Sequence, residues 1–223
     1  MPDGQYSFYL HSDDRTDIAA MATISTISQP LRGEFIRTAA TAGAVVYQVD
    51  ARLPALIPVF FAGQLSAVRL YAVMALVSGT WSSLTGLPDE PENGGAALLV
   101  SPETEYQRRR YTLTLQNGRS GERVESVLTE ASSRLRGDLL RNLIITGLAL
   151  HTTAPELPRL LASMPVPPTS VSELQALVQQ MAGTADVNRA AAAVPDTPAA
   201  SAAPVSGSDT REIKKNMRRA FGD

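Results

Sequence analysis

The sequence predicts a mainly α fold with a small antiparallel β-meander, carried by a compact helical body, then a linker and a C-terminal helix. Three observations carry this reading. Apolar residues recur at steps of three and four over about 31–50 and 132–151, and further helices are read over about 13–28, 54–79 and 170–182 from capping, a moderate apolar face or a continuous apolar run. β-Forming residues gather instead over about 97–130, where Asn117-Gly118 and Gly121 supply turn chemistry. Beyond 183 large apolar side chains almost vanish until Ile213. The body is therefore assigned to 1–183, the linker to 184–208 and the last helix to 209–223.

The elements follow in order. QYSFYL at 5–10 is short, aromatic and strand-like. Ser12, Asp13 and Asp14 then offer N-cap chemistry for the first helix, with Asp17 in its first turn, and Pro30 ends that helix. Leu31, Phe35, Thr38, Ala42, Val45, Val46 and Val49 mark a second helix. A competing strand over 44–50 draws on the β-branched cluster there.

Residues 53–79 are long and apolar enough to suggest a bilayer span, but Gln64 and Arg69 sit near the middle. A buried core helix is the preferred reading, with a membrane-associated or partner-facing helix as the alternatives. The Pro-, Gly- and acid-rich stretch 85–96 reads as a surface loop. ALLV at 97–100, RRYTLTLQ at 109–116 and ERVESVLTE at 122–130 read as the meander. Leu135, Leu139, Leu143, Ile144 and Leu148 then define an amphipathic helix. Thr169 and Ser170 cap a short one that Gly183 closes. No repeat is visible at periods of 20–50 residues.

Composition excludes several chemistries. With no cysteine, the chain has no disulfide, thiolate metal site, Fe–S cluster or cysteine nucleophile. The two histidines, His11 and His151, cannot make a three-histidine zinc site. Lysine is absent before Lys214, which removes a phosphate-loop lysine from the body. The glycines form no phosphate-binding pattern, and no nucleophile motif accompanies His11. Asp13, Asp14 and Asp17 suit helix capping better than cation binding. The expectation is therefore no catalytic residue, no metal and no cofactor.

Charge is unevenly placed: residues 1–210 carry 15 arginines against 20 acids, whereas 211–223 carry five basic groups against Glu212 and Asp223. Arg108, Arg109 and Arg110, beside Tyr106 and Tyr111, form the one basic–aromatic cluster of the body. Such a cluster could hold nucleic acid, contact a partner, or guard a strand edge. In the last helix Ile213, Met217 and Phe221 make an i, i+4, i+8 stripe, with Lys214, Lys215, Arg218 and Arg219 on the other faces. A short capped helix on a tether suits folding into a partner groove. An anionic membrane, nucleic acid and the chain's own body are the alternatives.

The functional expectation is a non-enzymatic assembly or adaptor component of a large protein complex, such as a phage particle or a bacterial secretion or conjugation machine. Its tethered helix would dock on a protein partner, and a homo-oligomer is compatible with it. A metal-independent enzyme with a dispersed site is the alternative, together with an accessory protein of membrane surfaces or nucleic acid. The N-terminus lacks the basic and apolar regions of a secretory signal, so a cytoplasmic location, or a particle or machine assembled there, is expected.

Overall fold

The computed structural model describes residues 4–80 and 107–192. The order is β1 (Gln5–His11), α1 (Arg15–Thr26), a 3-10 turn at Gln29–Leu31, α2 (Arg32–Val49), α3 (Leu53–Phe60) and α4 (Ala67–Ser78). Then come β2 (Arg108–Thr114), α5 (Arg119–Glu130), α6 (Arg136–Thr153), α7 (Leu157–Ser163) and α8 (Val171–Ala192). Among the described residues the fold is mainly helical with one small antiparallel sheet, as the sequence predicts.

The sheet is built differently from the expected meander. β1 pairs antiparallel with β2, so the strands meet across about a hundred residues of chain. Residues 122–130 are not a strand: they lie in α5, where Val124, Val127 and Leu128 are buried at helical spacing. Asn117-Gly118 is no hairpin turn either; Gly118, at φ +132°, starts that helix. The expected strand 97–100 lies outside the described residues.

Two other boundaries move. The apolar stretch 54–79 is two helices, because the chain breaks after Phe60 and turns at Gly63, where φ is +97°. Ser66 then caps α4 by accepting a hydrogen bond from the Arg69 amide. Among the described residues no helix is long and apolar enough to cross a membrane. The last helix of the body does not stop at Gly183 but runs on to Ala192. Its extension is alanine-rich, the composition with the highest helix propensity.

The elements form two matching sets. From α1 onward they recur at a spacing of 104 residues, with Arg32–Val49 matched by Arg136–Thr153. The sequence follows: Leu31-Arg32-Gly33 matches Leu135-Arg136-Gly137, Arg37 matches Arg141, Gly43 matches Gly147, and Leu53-Pro54 matches Leu157-Pro158. Local contacts repeat as well. Arg32 donates from Nε to the Ile27 carbonyl at 2.8 Å, and Arg136 does the same to Ala131 at 3.2 Å. The chain is an internal duplication.

The halves interlock about a pseudo-two-fold axis. In the ribbon Phe8 lies opposite Tyr111, and these two are also matching positions, so the axis passes between them. Their rings stack with centroids 5.2 Å apart. Below them α2 crosses α6. A Cβ on Gly43 would strike the Leu143 carbonyl, and a Cβ on Gly147 would strike that of Ala39, the matching contact. Each half also leans on the other, since α3 packs on α6 and α7 on α2.

Both central helices are buried on every side for much of their length: Ala39–Val46 in α2 and Leu143–Leu150 in α6. A helix with no solvent face has little amphipathic pattern, and α6 departs from the amphipathic reading for this reason. The Thr146 hydroxyl is buried there without a hydrogen-bond partner, whereas the other half has Ala42 at that place. Thr146→Val keeps the shape and removes the orphaned group, so it should stabilise the fold by roughly 1 kcal/mol. A melting temperature unchanged or lowered would contradict this.

Candidate nucleic-acid interface

Strand alternation sorts the ribbon into two faces. Phe8, Leu10 and Leu113 point into the core and are almost fully buried. The other face carries Gln5, Ser7, Tyr9 and His11 from β1, opposite Thr114, Thr112, Arg110 and Arg108 from β2. No aliphatic side chain stands on it. The register thus places Arg108 and Arg110 outward, while Arg109 shares the face of Tyr111.

Cross-strand contacts hold the outward side chains. Arg110 donates to the Ser7 hydroxyl from Nε at 3.2 Å and from Nη2 at 2.9 Å. The Arg108 guanidinium lies over the Tyr9 ring, 3.5 Å from its centroid, and Arg109 lies 5.2 Å from that of Tyr111. Burial raises the Tyr111 hydroxyl above its ordinary pKa, opposed by the charges of Arg109 and Arg32. α2 packs against β2. On the other side Gly137 at the start of α6 faces the Ser7 carbonyl, which a Cβ would approach to 3.4 Å. Neither helix start has a side-chain cap, although the Arg32 amide donates to the Gln29 carbonyl and the Leu135 amide to that of Ser132, so the first turns of α2 and α6 flank the ribbon on its two sides.

One end of the ribbon is braced by a buried ion pair. Asp17, fully buried, accepts from Arg141 Nε at 2.7 Å and from the His11 amide at 2.9 Å. Asp14, which caps α1, accepts from Arg141 Nη2 at 3.2 Å. Desolvation raises the Asp17 pKa above 3.8, and the Arg141 hydrogen bond only partly offsets it. The other half lacks this brace. Gly121 stands at the place of Asp17 and Gly118 at that of Asp14, while Arg37 pairs with Glu34 on its own helix at 2.7 Å.

The same difference separates two matching clefts. One holds Asp13, Asp14, Asp17 and Asp138 around Arg141; the other, about 330 Å³, holds Arg37, Arg119 and Arg159 with Glu34. Among the described residues no group of three or more His, Asp or Glu is placed to hold a metal ion.

Of the residues singled out in the sequence, Arg108, Arg109 and Arg110 come together with Ser7 and Tyr9 on the ribbon. Tyr106 and the whole stripe of Ile213, Met217 and Phe221, with Lys214, Lys215, Arg218 and Arg219, lie outside the described residues. Sequence reasoning missed Ser7 and Tyr9 as neighbours of the arginines, because the strand pairing that joins them spans about a hundred residues of chain.

The chain is thus a duplicated helical protein presenting a basic β-ribbon on its pseudo-two-fold axis. Its residues 4–74 and 109–178 match the profile of a family described as plasmid stability protein. The match covers more than half of the sequence, so this chain belongs to the plasmid stability protein family. The two matched segments correspond to the two halves of the duplication. No curated protein and no solved structure matches the chain.

Proposed function

We propose that this chain is a non-enzymatic DNA-binding adaptor of plasmid maintenance, its ribbon lying in the major groove and its C-terminal helix engaging a protein partner. The observation that supports the reading is the outward ribbon face, polar or basic at every position apart from the amphipathic Tyr9. A two-stranded ribbon fits the B-DNA major groove, which is about 12 Å wide. Arginine there can bond the guanine O6 and N7 in bidentate fashion, and helix amides on the flanks suit phosphate oxygens. Because residues 1–210 are acidic overall, attraction to DNA is local to this face and short in range.

The family membership narrows the setting from assembly machines in general to plasmid maintenance. The adaptor part of the proposal rests on the sequence of 209–223, whose stripe suits a groove on a partner.

The test is fluorescence anisotropy of the full chain against duplexes tiling the DNA around its own gene. One segment should bind preferentially. Arg108→Ala with Arg110→Ala should weaken it at least about tenfold, since each good arginine–guanine pair discriminates by about 1–3 kcal/mol. Equal binding by parent and double variant would sink the proposal. Serine at Ile213, Met217 and Phe221 should leave DNA affinity unchanged while removing the partner from DNA-loaded beads. A joint loss of both would move the tail into the nucleic-acid interface.

A further inference from the structure

We infer that the ribbon reads a DNA site without two-fold symmetry and that the chain binds it in one fixed orientation. This deepens the DNA-binding reading above and rests on it.

The duplication supplies the argument. Where two identical chains make such a ribbon, each outward residue appears twice, once at each end, and the preferred site is a palindrome. Here the matching positions on the inward face keep their character: Phe8 corresponds to Tyr111 and Leu10 to Leu113. The outward positions do not. Gln5 corresponds to Arg108, Ser7 to Arg110, Tyr9 to Thr112 and His11 to Thr114.

The register then collects the differences at opposite ends. Tyr9, His11, Arg108 and Arg110 stand together on one side of the axis, whereas Gln5, Ser7, Thr112 and Thr114 stand on the other. The first end suits guanine: Arg108 lies over Tyr9, and Arg110, whose Nε and Nη2 hold the Ser7 hydroxyl across the axis, keeps its remaining N–H groups for a base edge. The second offers a carboxamide suited to adenine and threonine methyls suited to the thymine methyl group. Beyond the two ends lie the unlike clefts, acidic next to His11 and arginine-lined next to Gly118. Arg32 and Arg136 remain matched at the helix starts. The scaffold is thus two-fold and the base-reading surface is not.

Selection of duplexes from a random-sequence library by the full chain tests this, with the bound stoichiometry measured on the winner. The expected motif has guanine in one half and A·T pairs in the other, bound by one chain. A palindrome made from the guanine half should bind about tenfold more weakly than the selected site. Orientation is read separately. The chain has no cysteine, so Asn117→Cys carries a single iron-chelate label beside the Gln5 end. It should cut the DNA only on the A·T flank.

Gln5→Arg with Ser7→Arg restores arginine to both ends and should shift the selected motif to a guanine palindrome. A palindromic motif for the parent, or cutting on both flanks, overturns the inference and leaves DNA binding standing. Failure to enrich any motif overturns the ribbon reading itself.

Discussion

Alanine at position 43 should cost about 3 kcal/mol or more of folding stability, the upper range for overpacking a filled core. The added methyl would meet the Leu143 carbonyl, which is backbone inside a buried helix and has no rotamer to escape through. Either α2 and α6 must separate, or the helical hydrogen bonds around Leu143 must distort. Gly147→Ala should behave alike, because it strikes the Ala39 carbonyl at the matching place. Gly183→Ala is the control. A Cβ there meets nothing within 4 Å, so the change should add about 0.5–1 kcal/mol to α8. Urea unfolding of the three variants decides the matter. A Gly43→Ala chain as stable as its parent would mean that the two helices do not cross at these glycines.

Removing Arg141 should be about as damaging, for an electrostatic reason. Arg141→Met leaves the Asp17 carboxylate buried with only the His11 amide, and breaking a buried pair on one side costs about 3–5 kcal/mol. The loss should depend on pH in a definite direction. The folded Asp17 pKa is already above 3.8, so the proton it binds favours the folded state at low pH. That contribution disappears as pH rises through the folded value. Without Arg141 the folded value rises further, so the variant should approach its parent near pH 3.8 and fall away towards neutrality. Asp17→Leu with Arg141→Met removes both charges and should recover part of the loss. A deficit equal at both pH values would show that packing, not charge, accounts for it.

The elements legible in the sequence were those whose signals are local. The strand 5–10, the cap at Asp14, and the helices beginning near 31 and 132 all emerge from spacing and capping within one segment. The strand over 44–50 lost to α2 because Ala39–Val46 is packed on all sides by the rest of the fold. What failed was non-local. β1 finds its partner at Arg108–Thr114, beyond the reach of any hairpin signal. Once Asn117-Gly118 suggested a turn, ERVESVLTE took on a strand reading, although Val124, Val127 and Leu128 already had helical spacing.

The candidate site shows the same division. The three consecutive arginines were visible, but which of them face outward depends on the register with β1. The role of Asp17 was hidden because its partner Arg141 is 124 residues away. The duplication escaped because its period of 104 far exceeds the 20–50 residues typical of solenoid repeats.

The covalent joining of the two halves changes how the interface responds to dilution. A reader assembled from two separate subunits loses competence steeply once its concentration drops below the dissociation constant of the pair. In this chain β1 lies against α6 and β2 against α2, so each half supports the other's strand. Tethered partners face each other at an effective concentration that can reach the millimolar range. The complete ribbon is therefore present in every folded molecule, and on the DNA-binding reading proposed above the occupancy of a site far from saturation scales linearly with the number of chains.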